Sequence, residues 1–69
     1  MPRTALKVFR TQHKMTQDDF AAKLGYSRSQ YNLIETGNRE GSQAFWEALQ
    51  EKFAVADSEM WVLMKVDKD

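Results

Sequence analysis

Apolar residues recur along this chain at helical spacing, in five stretches parted by short polar breaks. In the first, Leu6, Phe9, Arg10 and His13 share one face at i, i+3, i+4 and i+7, which predicts a helix over about 3–13 with Pro2 accommodated in its first turn. The second stretch, about 17–24, turns Phe20, Ala21 and Leu24 inward, and the small Ala21 allows the next helix to approach closely. The third, about 28–36, is organised by Tyr31 and Ile34. The fourth, about 43–53, aligns Trp46, Leu49 and Phe53 with Phe45 beside them, and the fifth, about 58–66, holds Met60, Trp61, Leu63 and Met64. An all-α chain, a compact five-helix bundle forming one domain over residues 1–69, is the expected result.

The breaks are as informative as the helices. Thr16 can cap the amide of Asp19, with Met15 and Phe20 in the flanking apolar positions, and the same grammar returns eleven residues later with Ser27 as cap, Gln30 at the third position and Tyr26 and Tyr31 as flanks. Between the two starts lies Leu24-Gly25-Tyr26-Ser27, where Gly25 supplies the positive φ that a helix stop followed by a tight turn favours. Gly37 ends the second of these helices in the same way. A short helix, a turn of three or four residues containing glycine and a second helix is the sequence form of a helix-turn-helix. Two helices joined so tightly cannot bury their apolar residues alone, so both flanks must supply core. Further along, Ser42 caps the fourth helix and Asp57 the fifth, and the tail Val66-Asp67-Lys68-Asp69 is expected to fray.

With 69 residues, a chain of this size buries only about 60% of its unfolded surface, so its core is small and a partner would help it. The absence of cysteine excludes disulfides and a thiolate zinc site. A lone His13 gives no metal cluster, Asp18 and Asp19 diverge on their helix, and no nucleophile, general base or phosphate-cradling glycine loop is visible. No enzyme, cofactor or small-molecule substrate is expected. No stretch reads as a secretory leader or is long enough to span a membrane.

The net charge of zero argues against a nucleic-acid partner until its distribution is considered. Residues 1–39 carry seven Lys/Arg against three Asp/Glu, and residues 40–69 carry three against seven. The helix-turn-helix therefore occupies the positive end of a dipolar chain, as attraction to phosphate requires. The second helix of the motif leaves Arg28, Ser29, Gln30, Asn32 and Leu33 outside its apolar stripe. Those are base-reading residue types: Arg for guanine, Gln and Asn for adenine, Ser for either, and an apolar side chain for the thymine methyl. The plainer alternative is an exterior face that is simply solvated. Arg10 on the inner face of the first helix calls for a carboxylate partner.

The run Met15-Thr16-Gln17-Asp18-Asp19-Phe20-Ala21, then Leu24-Gly25-Tyr26-Ser27-Arg28-Ser29, then Ile34-Glu35-Thr36-Gly37-Asn38-Arg39 resembles the Xre-like family that includes phage Cro and the lambda-type repressors. The resemblance is ungapped over about 25 residues, and the five-helix outline extends it over nearly the whole chain. It implies a lambda-repressor-like fold and a sequence-specific, double-stranded DNA-binding transcriptional regulator, Cro-like, in the cytoplasm of a bacterial or phage-infected cell. It further implies that Arg28, Ser29, Gln30, Asn32 and Leu33 face the major groove, that Gln17, Thr36, Asn38, Arg39 and Arg10 serve the phosphate backbone, and that Arg10 pairs internally with Glu35. Thr36 and Asn38 stand where the family usually has Asn and Lys. Gly41 and Gln43 replace Pro and Leu, which bears on where the fourth helix starts, and Leu33 replaces a position that is often polar.

The fifth helix is apolar on too many sides for a lone surface helix. Either a small core consumes Val55, Trp61 and Met64, or they form a patch that marks an interface. The chain runs only a few residues past this helix, so a homodimer through Val55, Trp61 and Met64 is expected to take the place of a second dimerisation domain and to match a roughly palindromic operator. The competing reading is a protein-binding helix-turn-helix module, antirepressor- or antitoxin-like, acting through the same apolar C-terminal face.

Overall fold

The computed structural model describes residues 1–68 and contains five helices among them: α1 (Thr4–Gln12), α2 (Gln17–Leu24), α3 (Arg28–Glu35), α4 (Gln43–Phe53) and α5 (Asp57–Met64). No strand occurs among the described residues. The expected helix caps at Thr16, Ser27 and Ser42 are made. Thr16 accepts the Asp19 amide, Ser42 accepts the Phe45 amide, and Ser27 and Gln30 form a reciprocal box. Gly25 closes α2 at φ +83°.

α2 packs on α3 and α4, while α1 lies against α5 and α3 and so closes the bundle. The core is an aromatic chain. Phe20 lies 5.1 Å from the Tyr31 ring centroid and stacks on Phe53 at 5.0 Å, and Phe45 meets Trp46 edge-on at 4.9 Å. Leu6, Leu24, Ile34 and Leu49 fill the spaces around it, and buried Ala21 lets α2 sit close to its neighbours. His13 packs its ring against Phe9 and Phe53 at the edge of this cluster.

Several helix ends differ from expectation, each for a tertiary reason. α1 begins at Thr4, leaving Pro2 outside the first turn, because the chain before it is held elsewhere: the Arg3 amide donates to the Glu35 carbonyl, and the Pro2 carbonyl accepts from the Asp67 amide at 2.8 Å. That last bond, with one from the Thr4 hydroxyl to the Asp67 carboxylate, ties the segment after α5 to the start of α1; Asp69 lies outside the described residues. α5 starts at Asp57 rather than after it. Ala56 holds the cap position with no side-chain bond, and the Asp57 carboxylate instead accepts from Gln50 at 2.5 Å while lying at the positive end of the helix. The start of α4 at Gln43 is not displaced by Gly41, whose φ of +84° and closeness to Trp46 both require glycine: a Cβ there would lie 2.9 Å from the indole nitrogen.

Arg3 was not singled out by sequence, yet its side chain reaches four separate carbonyls. Only 4% exposed, its guanidinium donates to the carbonyls of Ile34 (2.6 Å), Arg39 (2.8 Å), Glu40 (3.2 Å) and Met64 (2.9 Å), and lies over the Trp46 ring. One fork of N–H donors thus satisfies the end of α3, the connection to α4 and the end of α5 together. Burial lowers the Arg3 pKa from its ordinary value, and Glu40 opposes that shift. Replacing Arg3 with Met, which keeps the stem and deletes the donors, is expected to cost about 2–4 kcal/mol in urea unfolding. Lys at this position should recover only a minor part, because a point-like ammonium cannot span four carbonyls.

Candidate nucleic-acid interface

The helix-turn-helix is positioned by a buried ion pair. Arg10 from α1 donates from Nε to Glu35 Oε2 at 2.9 Å and from Nη2 to Oε1 at 3.2 Å, a two-point contact, and its Nη1 donates to the Met15 carbonyl at 2.8 Å. The Tyr31 hydroxyl donates to Glu35 Oε2 at 2.5 Å, and Gln17 Nε2 to Oε1 at 3.1 Å. Burial by itself would push the Glu35 carboxyl up, but the hydrogen bonds from Arg10, Tyr31 and Gln17 outweigh it and hold the group below its ordinary value. The same bond to Glu35 raises Arg10, and burial followed by the Glu35 contact drives the Tyr31 hydroxyl far upward. All three side chains therefore keep one protonation state across neutral pH. The pair is internal, as the resemblance implied. Arg10 is consequently corrected as a phosphate ligand: its fork is turned inward and engaged on both sides.

Outside this network α3 presents its other face. Arg28, Ser29 and Gln30 are exposed, and Asn32 and Leu33 are half-buried. Arg28 makes no side-chain bond among the described residues. It lies in the first turn of α3, where no acidic residue accompanies it. A cation there opposes the helix dipole, a local cost of some tenths of a kcal/mol. Leu33 is not among the side chains packed on the core.

Five of the predicted polar side chains, Gln17, Gln30, Asn32, Thr36 and Asn38, make hydrogen bonds inside the protein. Gln30 Oε1 accepts from the Ser27 amide (3.0 Å) and hydroxyl (3.2 Å). Gln17 donates both to Glu35 and to Asn32 Oδ1, the latter at 3.0 Å, so both of its amide hydrogens are engaged with α3. Its backbone N–H remains at the open start of α2. In the loop after α3 the Thr36 hydroxyl bonds back to the carbonyls of Asn32 (2.8 Å) and Leu33 (3.3 Å), and Asn38 donates to Thr36 at 3.0 Å. That knitting stiffens the loop and leaves exposed Arg39 as its free-standing cation, anchored through its own carbonyl by Arg3. Gly37 is confined by its φ of +84° and by the Met1 carbonyl, with which any Cβ would collide.

At the opposite end, Val55 is 7% exposed and packs in the core, which corrects its assignment to an interface. The turn at Ala54, with φ +51°, swings Val55 inward. Trp61, by contrast, is 75% exposed and Val62 56%, with Met64 also exposed, so the apolar surplus of the last helix is real and outward. Sequence reading placed Trp61 and Met64 in this patch but not Val62 or the neighbouring Val8 of α1.

The family model described as helix-turn-helix matches residues 6–59 of the chain, most of its length, with α2, α3 and α4 whole, nearly all of α1 and the first turn of α5. The chain belongs to the Cro/C1-type helix-turn-helix family. No curated protein and no solved structure matches it significantly. The family is one of DNA-binding regulators rather than enzymes. Among the described residues no helix is long and apolar enough to cross a membrane, and no group of three or more His, Asp or Glu side chains could hold a metal.

Because the folded Glu35 pKa lies below its ordinary value of 4.5, its contribution to stability is complete above that pH and is lost as pH falls through the lower folded value. Glu35→Gln is expected to cost about 3 kcal/mol at pH 7, by stranding a buried guanidinium. It should also flatten the loss of stability below pH 4.5. Urea midpoints followed from pH 7 to about pH 2.5 measure both.

Proposed function

We propose that this protein is a sequence-specific DNA-binding transcriptional regulator, a Cro-like repressor that reads the major groove with α3 and acts as a homodimer. The observation that carries the reading is the division of α3 into two faces. Tyr31, Ile34 and Glu35 are locked into core and ion pair, while Arg28, Ser29 and Gln30 stand exposed and Asn32 and Leu33 border them. A helix held this rigidly can present base-reading side chains without ordering cost at the moment of binding. Phosphates would be met by Arg39 and by the open amides at the start of α2, among them that of Gln17, with the Thr36–Asn38 loop as scaffold. The cation at the wrong end of the α3 dipole is a local cost that an arriving anion reverses.

The longest dimension of one copy is 30 Å, and major-groove faces on one side of B-DNA recur every 34 Å or so. Two copies side by side, joined through Trp61, Val62 and Met64, would present two α3 helices at about that repeat and require a roughly palindromic operator. Such a protein acts where DNA is, inside the cell. The same exposed apolar face supports the competing reading, in which it grips a different protein and the helix-turn-helix is only scaffold.

Selection from random duplexes at about 100 mM salt, where phosphate contacts still contribute, distinguishes the two. Expected is a motif of two inverted half-sites centred about ten base pairs apart. Arg28→Ala should weaken operator binding by about 1–3 kcal/mol and relax one position per half-site. Trp61→Ser should shift the sedimenting species toward monomer and weaken the two-half-site operator more than an isolated half-site. Recovery of no motif would transfer the function to the apolar face.

A further inference from the structure

Hydrogen bonds inside the protein decide which atoms of the α3 amides are left to face outward, and the decision is forced by groups that have no choice. The Glu35 carboxylate, charged beside Arg10, can only accept. Gln17 must therefore turn its NH2 group toward it, and the second hydrogen of that group meets Asn32, which must in turn present its oxygen. Asn32 Oδ1 is thus turned inward onto Gln17, and its Nδ2 is left over. No buried side-chain nitrogen or oxygen lacks a partner among the described residues. Asn32 Nδ2, which has none, is consequently open to solvent. Gln30 obeys an independent version of the same logic. The Ser27 backbone N–H can only donate, so the capping box takes Gln30 Oε1 and leaves exposed Nε2 outward. Arg28 has donors only.

Resting on the DNA-binding reading above, we infer that α3 presents Arg28, Gln30 and Asn32 to the major groove as hydrogen-bond donors alone, so that its half-site is built on guanine N7 and O6 and thymine O4. The amino groups of adenine and cytosine find no acceptor on these three side chains. The paired donor-and-acceptor contact that Asn or Gln makes with adenine needs the amide oxygen, and here both oxygens are held by the fold. Adenine N7 remains as a weaker, single-atom partner. Ser29, whose hydroxyl both donates and accepts, is the one neighbour able to meet either kind of edge.

Gln30→Glu tests this without dismantling the structure. Glutamate serves the capping box as well as glutamine does, and its second oxygen then faces outward as an acceptor. Selection from random duplexes is run in parallel with wild type and with this variant, with the thermal midpoint checking the fold. Expected is an unchanged midpoint and one base pair per half-site exchanged so that the amino group of cytosine or adenine lies at the contacted edge where the wild-type pair offers guanine O6 or thymine O4, with a preference change of about tenfold or more. A variant motif identical to the wild-type motif would overturn the donor face while leaving DNA recognition intact. Failure of the wild-type protein to select any motif would overturn both. The wild-type protein also gives a check that needs no variant: methylation of guanine N7 within a half-site should weaken binding about tenfold or more, and indifference to it at every guanine would sink the inference.

Discussion

A guanidinium from the first helix and a carboxylate from the end of the third meet inside the protein, and much of the outer surface is arranged by that meeting. The pair ties α1 to the helix-turn-helix, and the Met15 carbonyl on the same fork holds the turn that leads into α2. Because both charges are buried, neither can be left alone, and the surrounding donors from Tyr31 and Gln17 complete what the pair leaves unsatisfied. An ion pair of this kind is weak evidence of added stability. Its stronger effect is to admit one arrangement of α1, α2 and α3 and to penalise the others.

Arg3 plays the corresponding part at the other side of α3. Its four carbonyl contacts reach the end of that helix, the connection to α4 and the last turn of α5. The two arginines divide the work: one fixes the front of the helix-turn-helix, the other fixes its exit and the loop that carries Arg39. A chain this short has too small a core to define all of these junctions by apolar packing. Charged forks that satisfy several acceptors at once do it with few residues.

The exterior of α3 follows from these internal bonds. Side chains drawn from the same list of base-reading types differ in what they can read once the fold has claimed some of their atoms. Gln17 illustrates the point, since its donors turn inward and only its backbone amide is left for an anion. The exposed apolar face of α5 is unrelated to this network, and its existence on a protein with so small a core is itself an argument that another surface covers it.

Most of the architecture was readable one residue at a time, because helix starts, stops and apolar periodicity are local. Thr16, Ser27 and Ser42 cap as their spacing implies, Gly25 turns where a left-handed residue is needed, and Tyr31 and Ile34 face inward. The Arg10–Glu35 pair was also legible, though through family resemblance and the oddity of an arginine on an apolar face. What sequence could not deliver depends on groups far apart along the chain. Arg3 meets carbonyls 31 to 61 residues away, and nothing local distinguishes it from a solvated terminal cation. Val55 and Trp61 read alike as spare apolar residues, yet Val55, just past the turn at Ala54, is buried and Trp61, on α5, stands in water. The order of residues alone determined which side-chain types stand on α3. Only the tertiary hydrogen bonds decided which of their atoms remain free, because an amide's two ends become distinguishable only when a fixed donor or a fixed charge takes one of them.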